Sequence, residues 1–270
     1  MRARGAAIAT VPALVGGLWA QVHRAAHAPL PQFDDLDLTG SYGGSDREPG
    51  TGRGTEPIQV AVLGDSTLTG PGLDHASEVF VAHAARQLRT RVHLTRYAVG
   101  GSRIGDVFMH QLPAALDAAP DIAVVSIGAN DAIHSTPLAQ FERDVRTVVG
   151  ALDRAGIATL VCGLIDLSVV PRVPTALKMM LAMRGAAYER RKARAVYPAA
   201  RAVYVGASPA VNQAFRARGE EFFTADRFHP NAAGHECLAS GLVPHLTAAI
   251  DGLDRVARSR FARPRNLALV

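Results

Sequence analysis

The sequence predicts an α/β fold: a three-layer α/β/α sandwich around a central parallel sheet, with flavodoxin-like layering. Short apolar runs alternate with longer amphipathic stretches, which is typical of parallel strands joined by right-handed helical crossovers. The run DIAVVSI is continuously apolar, as expected for a strand buried on both faces of a sheet. The composition is globular, with 48% hydrophobic and 20% charged residues in a chain of 270.

The elements follow in order from the apolar periods. Strands are predicted over 58–63, 91–99, 121–127, 157–165 and 202–206. Helices are predicted over 75–88, 104–119, 138–155 and 232–250. We expect Pro113 to bend or split the second helix, because proline lacks the N–H that the helix needs. The helix over 138–155 is the clearest, since its apolar residues fall on one stripe.

The chain is predicted to divide into four segments. Residues 1–28 carry Arg2 and Arg4 ahead of an uncharged, mostly apolar stretch, which is typical of a secretory signal peptide or an uncleaved signal anchor. Residues 29–57 are rich in Gly, Pro, Ser and acidic side chains and are predicted to be a flexible linker. The folded domain is placed at 58–253 and a basic tail at 254–270. We therefore expect an extracytoplasmic protein, secreted or anchored to the membrane by its N-terminal segment.

Charge and cysteine content exclude several classes of protein. The formal net charge is +5, and basic residues cluster in two places, in the tail and at Arg184, Arg190, Arg191, Lys192 and Arg194. We interpret the second cluster as a solvated helix face, because no nucleic-acid-binding motif accompanies it. Nucleic acid is therefore not a predicted partner. The two cysteines, Cys162 and Cys237, are too few for a disulfide scaffold or a four-cysteine zinc site.

Polar segments follow the predicted strand ends. They are Gly64-Asp65-Ser66, Gly100-Gly101-Ser102, Gly128-Ala129-Asn130-Asp131 and, before the last helix, Asp226-Arg227-Phe228-His229. Ligands of such sheets lie beyond the carboxyl ends of the strands, so the fold gathers these segments at one edge. Each segment alone is better explained as an ordinary turn or helix cap.

Together these segments supply the parts that acyl transfer requires. A serine hydroxyl needs an adjacent base to become a nucleophile, and His229 can be the base for Ser66. Asp226 can orient that imidazole and stabilise its protonated form. The backbone N–H groups of Ser66 and Gly101 and the side-chain amide of Asn130 can form an oxyanion hole.

These motifs resemble those of the SGNH hydrolases, also called the GDSL esterase/lipase family. GDST at 64–67 resembles the first block, AVGGS at 98–102 the glycine block, GAND at 128–131 the asparagine block and DRFHPN at 226–231 the last block. The resemblance implies a serine esterase or lipase that hydrolyses acyl or acetyl esters of lipids or envelope glycans through an acyl-enzyme on Ser66, without a metal or other cofactor. Its implied partner is a small-molecule or lipid ester.

The sequence departs from the family pattern at two positions. Thr67 stands where the family name has leucine, and this position lies outside the chemistry. Arg96 stands near the place where an asparagine often begins the second block, which changes how the loop bearing Gly101 is held. Within that loop Gly101 matches the oxyanion glycine better than Gly100, which remains the alternative.

Two other functions are compatible with parts of the sequence. A metal-dependent phosphoesterase could use Asp65, Asp131, Asp226, His229 and His235, but the early D-x-H and GNH-type motifs are missing and Ser66 would have no role. A non-catalytic lipid- or glycan-binding module of the same fold would be marked by loss of Ser66 or His229, and both are present.

The stretch 169–185, VVPRVPTALKMMLAMRG, follows the fourth predicted strand of the domain and is long and rich in methionine. It is compatible with a core helix, with the wall or lid of an acyl pocket, or with contact with an anionic membrane surface. The sequence leaves the oligomeric state open.

Overall fold

The computed structural model describes residues 33–44 and 56–261, with side chains as far as Leu253. The predicted signal segment 1–28 lies outside the described residues, as do 29–32, 45–55 and 262–270. Within the described ranges, no helix combines the length and the apolar character needed to cross a membrane.

The described residues form a six-stranded sheet that is parallel except at one edge. Its strands are β1 (Gly40–Tyr42), β2 (Ile58–Gly64), β3 (Val92–Arg96), β4 (Ile122–Ser126), β5 (Ala158–Cys162) and β6 (Ala202–Val205). The spatial order is β1-β3-β2-β4-β5-β6, and β1 runs antiparallel to β3. The five parallel strands therefore have the flavodoxin-like order, which confirms the predicted fold class.

Eight helices of the described chain complete the fold. They are α1 (Phe80–Arg86), α2 (Ile104–Asp106), α3 (Leu112–Asp117), α4 (Ala129–His134), α5 (Leu138–Arg154), α6 (Thr175–Val196), α7 (Pro209–Arg218) and α8 (Ala232–Phe261). A π-helical turn, Val107–Gln111, joins α2 to α3 and ends two residues before Pro113. The predicted interruption of this helix is thus present as a local change of winding.

The helices cover both faces of the sheet. On one face, Val62 and Val124 pack with apolar residues of α1 and α8. On the other face, Val125 and Val161 pack with apolar residues of α5 and α6. The central strands are buried on both sides, as their continuous apolar sequence predicts.

The prediction of a linker over 29–57 is wrong for residues 33–44. Leu38 is fully buried, and β1 pairs with the edge strand β3. The N–H of Leu36 donates to the carbonyl of Thr69 over 2.9 Å, and the Tyr42 hydroxyl donates to the carbonyl of Leu38 over 2.9 Å. The apolar residues Leu36, Leu38 and Tyr42 lie among Gly and Asp residues, so the composition of the segment resembles that of a linker. The segment is part of the domain.

The boundary predicted at Leu253 lies inside a helix. Helix α8 starts at Ala232 and continues to Phe261, so it includes the beginning of the segment predicted as a basic tail. The rest of that tail, 262–270, lies outside the described residues.

Candidate active site

The candidate site lies where the strand order reverses, between the carboxyl ends of β2 and β4. Ser66 follows β2 and begins a short 3₁₀ turn, Ser66–Leu68, while Asn130 lies in the first turn of α4 after β4. Open α/β sheets bind ligands at this reversal point. Gly64 makes the approach of the two strand ends feasible, because a Cβ there would lie 1.9 Å from the carbonyl oxygen of Ser126. Its φ of +146° also disfavours other residues.

Ser66, His229 and Asp226 form a hydrogen-bonded relay. The His229 Nε2 atom lies 3.2 Å from the Ser66 Oγ atom. The other ring nitrogen of His229, Nδ1, lies 2.6 Å from Asp226 Oδ2. The sequence-predicted nucleophile, base and orienting acid are thus brought together, although 163 positions separate Ser66 from His229.

The surroundings of Asp226 fix its charge. Burial alone would raise the pKa of this carboxyl, but hydrogen bonds from His229, from the Thr224 hydroxyl and from two backbone N–H groups outweigh burial and hold the pKa well below its ordinary value. Asp226 is therefore a carboxylate at neutral pH, and its Oδ2 accepts a hydrogen bond from the Nδ1–H of His229. Nε2 of the neutral imidazole is then free to accept the Ser66 proton.

The loop that carries Asp226 and His229 is held by local hydrogen bonds. Asp226 Oδ1 accepts from the Thr224 hydroxyl at 2.6 Å and from the N–H of Phe228 at 2.8 Å. Arg227 has a φ of +60°, a conformation that a non-glycine residue rarely adopts. Asn231 donates to the carbonyl of Glu221 over 2.8 Å and thereby fixes the start of α8.

The proposed oxyanion donors lie on the facing loops. Asn130 Nδ2 donates one hydrogen bond to the carbonyl of Ser102 over 3.1 Å, which orients the amide and leaves its second N–H available. The N–H of Gly100 donates to Asp35 Oδ2 over 3.0 Å and is therefore already engaged. Gly101 has a φ of +78°, and within the described chain its N–H has no hydrogen-bond acceptor. Of the two glycines, the geometry favours Gly101.

Sequence reasoning missed two residues that hold the glycine loop. The first is Asp35, which lies in the segment predicted as a linker. Its carboxylate is 3.6 Å from Arg96 Nη1. The same Nη1 donates a hydrogen bond to the carbonyl of Ala98 over 2.7 Å. Arg96 and Asp35 together tie down the loop at the position where the family pattern has asparagine. The signal that could have found Asp35 is its place directly before half-buried Leu36 and buried Leu38, which alternate with polar residues, rather than any motif.

Gln111 is the second missed residue. Its buried side-chain amide accepts from the N–H of Gly64 over 2.8 Å and donates to the carbonyl of Gly64 over 2.9 Å. The same Nε2 lies 3.1 Å from the Ser102 hydroxyl. Gln111 therefore links the end of the nucleophile strand to the glycine loop. A lone glutamine in a predicted helix carries no sequence signal for this role.

The interpretation of the basic cluster as a solvated helix face is wrong for Lys192. This side chain is fully buried, and its Nζ donates to the carbonyl of Cys162 over 3.1 Å and lies 2.7 Å from Glu189 Oε1. A Cβ at Gly128 would lie 3.5 Å from Lys192 Nζ, so the cation sits directly beneath the loop that leads to Asn130. Tyr204 completes the cluster by donating to Glu189 Oε2 over 2.5 Å.

Asp226 and His229 are in contact, but within the described residues the side chains of the phosphoesterase alternative do not form a metal-binding group. His235 Nδ1 accepts from the N–H of Phe80 over 3.1 Å, and burial lowers the pKa of His235 to about 3, with smaller contributions from His229 and His83. Asp131 Oδ2 accepts from the N–H of Ile104 over 3.0 Å, and burial raises its pKa. Among the described residues, no group of three or more His, Cys, Asp and Glu side chains is arranged to hold a metal ion.

Comparison with known proteins decides the family. The model of the GDSL-like lipase/acylhydrolase family matches residues 62–237, which include Ser66, Gly101, Asn130, Asp226 and His229. The chain belongs to this family. The chain is 30% identical over 218 residues to the GDSL-like esterase Rv1075c of Mycobacterium tuberculosis, a match that covers 78% of this chain and 69% of that protein. The resemblance to SGNH hydrolases is confirmed, and the chain is a carboxylic ester hydrolase.

Solved structures share the fold of the GDSL esterase at low sequence identity. TesA has a TM-score of 0.58 and 20% identity, covering 71% of this chain and 99% of its own. A mutant of the acetyl-xylooligosaccharide esterase Axe2 from Geobacillus stearothermophilus has a TM-score of 0.57 and 16% identity, covering 69% of this chain and 93% of its own. An SGNH hydrolase from Slackia heliotrinireducens, named as such only provisionally, has a TM-score of 0.54 and 20% identity over 70% of this chain and 98% of its own.

Proposed function

We propose that the GDSL esterase hydrolyses its ester substrates through an acyl-enzyme formed on Ser66. The observation that carries this proposal is the relay in which His229 Nε2 lies 3.2 Å from Ser66 Oγ and His229 Nδ1 lies 2.6 Å from the Asp226 carboxylate. A serine hydroxyl is a weak nucleophile at neutral pH, and this arrangement supplies the adjacent base that activates it.

In the acylation half-reaction, Ser66 Oγ attacks the ester carbonyl carbon while its proton passes to His229 Nε2. The Asp226 carboxylate stabilises the imidazolium that forms, and its low pKa keeps it charged while it does so. The tetrahedral intermediate then collapses, the carbon–oxygen bond to the alcohol breaks, and His229 returns the proton to the leaving alkoxide. The alcohol departs and the acyl group remains on Ser66.

Deacylation repeats these steps with water as the nucleophile. His229 takes a proton from the water, the hydroxide attacks the acyl carbon, and the acid leaves as Ser66 regains its proton. In both halves the negative oxygen needs preorganised donors, and we assign these to the N–H groups of Ser66 and Gly101 and the free N–H of the Asn130 amide. The hydrogen bond from Asn130 to Ser102 supports this role, since it fixes the amide before substrate binds.

A pair of matched variants tests the nucleophile. Ser66→Ala should lower turnover of p-nitrophenyl acetate by several orders of magnitude, because members of a triad act as a unit. Thr67→Ala removes the neighbouring hydroxyl and should keep activity within a few-fold. Comparable loss in both variants, or retained turnover in Ser66→Ala, would refute the assignment. A strong chelator should leave the wild-type rate unchanged, since no step here uses a metal.

For the substrate, we propose acyl or acetyl esters of lipids or envelope glycans. The fold is shared with an enzyme named as an acetyl-xylooligosaccharide esterase, which supports small acyl groups on carbohydrate. A rate profile over p-nitrophenyl esters from acetyl to palmitoyl measures the acyl preference directly. A maximum at acetyl favours glycan esters, a maximum at long chains favours lipids, and a flat profile would contradict a dedicated acyl pocket.

We also propose that the protein is exported. The proposal depends on the sequence of residues 1–20, with Arg2 and Arg4 before an uncharged apolar stretch. The full-length chain should be recovered in the membrane or medium of its host, and deletion of residues 1–28 should leave it in the cytoplasm. A truncated chain for assays should retain residues from Phe33 onward, because residues 33–44 belong to the domain.

A further inference from the structure

The first ten residues of α6 expose large apolar side chains. Between Thr175 and Arg184 none is buried, although half of these residues are Leu or Met. Met179, Met180 and Met183 have exposures of 75%, 49% and 64%. Residues three and four apart share a side of a helix, so these three form one outward strip, here called the methionine face. A contiguous exposed apolar strip on a soluble domain marks an interaction surface more often than chance exposure does.

Basic side chains accompany the methionine face, and acidic ones are absent from its neighbourhood in the sequence. From Leu167 to Tyr188 the chain contains Arg172, Lys178 and Arg184 but no Asp or Glu. Arg190 is exposed two turns beyond Met183 on the same side of α6. A bilayer with acidic headgroups has an apolar interior and a negatively charged surface. Exposed apolar side chains flanked by cations are complementary to both parts.

The segments on either side of the methionine face contact loops of the candidate active site. The N–H of Arg172, in the loop before α6, donates to the carbonyl of Arg227 over 2.9 Å, within the loop that carries His229. On the other side, the Tyr188 hydroxyl of α6 donates to the carbonyl of Thr136, just after the helix that carries Asn130. Further apolar side chains are exposed next to the oxyanion residues, at Val99 (51%) and Ile133 (39%).

We propose that the N-terminal half of α6 is a docking surface for an anionic lipid bilayer. Met179, Met180 and Met183 insert at the boundary between headgroups and acyl chains, while Lys178, Arg184 and Arg190 contact the acidic headgroups. Lysine and arginine can lie along apolar surface and still reach such groups. Docking in this orientation turns the edge of the sheet that carries Ser66 toward the membrane.

Two other occupants fit the methionine face less well. A second copy of the chain would bring Lys178, Arg184 and Arg190 against the same residues of its partner, and like charges oppose such pairing. The apolar N-terminal stretch 5–20 contains no acidic residue to meet Lys178 and Arg184. Methionine side chains adapt to irregular apolar surroundings, which suits an acyl-chain boundary.

Vesicle flotation of the full-length chain tests the proposal. Vesicles of phosphatidylcholine with phosphatidylglycerol should bind the wild type more strongly than phosphatidylcholine alone. Met179→Asp combined with Met183→Asp should lower the partition coefficient at least about tenfold, since two apolar anchors become charged. Tyr197→Asp is the matched control, because Tyr197 is 90% exposed at the opposite end of the same helix, and its binding should equal that of the wild type.

A second measurement separates α6 from the N-terminal segment, which is present in every variant. An environment-sensitive fluorophore on Met183→Cys, in a chain with Cys237→Ser, should shift to the blue on adding anionic vesicles, and the same fluorophore on Tyr197→Cys should not. The proposal is overturned if the aspartate variant floats like the wild type, or if the probe at 183 is silent while the chain binds. It is also overturned if the methionine variants change the oligomeric state instead of vesicle binding. These measurements report binding and not catalysis, so they leave the proposed reaction untouched.

Discussion

The carboxylate of Asp35 accepts a hydrogen bond from the backbone N–H of Gly100, over 3.0 Å and across 65 positions of sequence. This contact places a residue from the N-terminal segment directly behind the loop that presents Gly101. The same carboxylate lies 3.6 Å from Arg96, so the loop is held from its start and from its middle. The segment 33–44 is therefore a positioning element for the proposed oxyanion hole.

Loss of this contact should slow catalysis without unfolding the protein. Asp35→Ala frees the Gly100 N–H and lets the adjacent Gly101 shift, and small misplacements of reacting groups are costly. We expect kcat to fall about tenfold with little change in KM. Asp37→Ala is the control, because Asp37 also lies near Arg96, at 3.9 Å, but its side chain is 70% exposed. Equal kcat and KM values for the two variants would show that Asp35 does not position the glycine loop.

Asn130 should contribute mainly in the transition state. Removing one oxyanion donor typically costs about 10²–10³ in rate, so Asn130→Ala should lower kcat by that amount and leave KM nearly unchanged. The variant should still react slowly with a fluorophosphonate, because Ser66, His229 and Asp226 are intact. Asn130→Asp should be worse than alanine, since a carboxylate repels the developing oxyanion. A near-wild-type kcat in Asn130→Ala would mean that Asn130 is only a loop residue.

Lys192 should matter for stability because it is a buried cation with a defined partner. Lys192→Met leaves Glu189 without its counter-charge, and breaking a buried ion pair in this way costs about 3–5 kcal/mol. Urea denaturation measures this difference. Lys178→Met, on the less buried half of the same helix, should change the free energy of unfolding by about 0.5 kcal/mol or less. Adding Glu189→Gln to Lys192→Met should recover part of the loss, and no recovery would contradict the pairing.

His235 predicts an acid-sensitive window of stability. Burial lowers its pKa from 6.5 to about 3, so between these values the unfolded chain binds a proton that the folded chain does not. The free energy of unfolding should therefore fall as pH drops through this range, by up to about 1.4 kcal/mol per pH unit from this group. His235→Asn keeps an acceptor for the N–H of Phe80 but cannot titrate, so its stability profile should be flatter there. An unchanged slope would refute the role of His235.

The parts of this protein that the sequence predicted are those with strong local patterns. The parallel strands β2, β4 and β5 are mostly apolar. Ser66, Asn130 and His229 follow from short motifs at strand or helix ends. Their meeting at one edge follows from the topology of an open parallel sheet.

The parts that were missed depend on long-range contacts. Strand β1 has only three residues, and it is stable because it pairs with the edge strand β3. Its own composition is that of a linker, so the sequence did not predict a strand there. Lys192 lies in a run of basic residues, and the helical period of that run does not identify which side chain is buried. Its burial depends on the partners Glu189 and the carbonyl of Cys162 at the end of β5. Asp35 and Gln111 bond to backbone groups, which leave no trace in a residue pattern.

The most direct test of the central claim is to trap the acyl group. Wild-type protein mixed rapidly with p-nitrophenyl acetate, quenched in acid and digested, should carry one acetyl group on the peptide that contains Ser66, and fragmentation should place it on that residue. Ser66→Ala should carry none and should release no burst of p-nitrophenol. An acetyl group on another residue, or turnover by wild type with no covalent adduct at any quench time, would contradict the account of Ser66 as the nucleophile activated by His229 and Asp226.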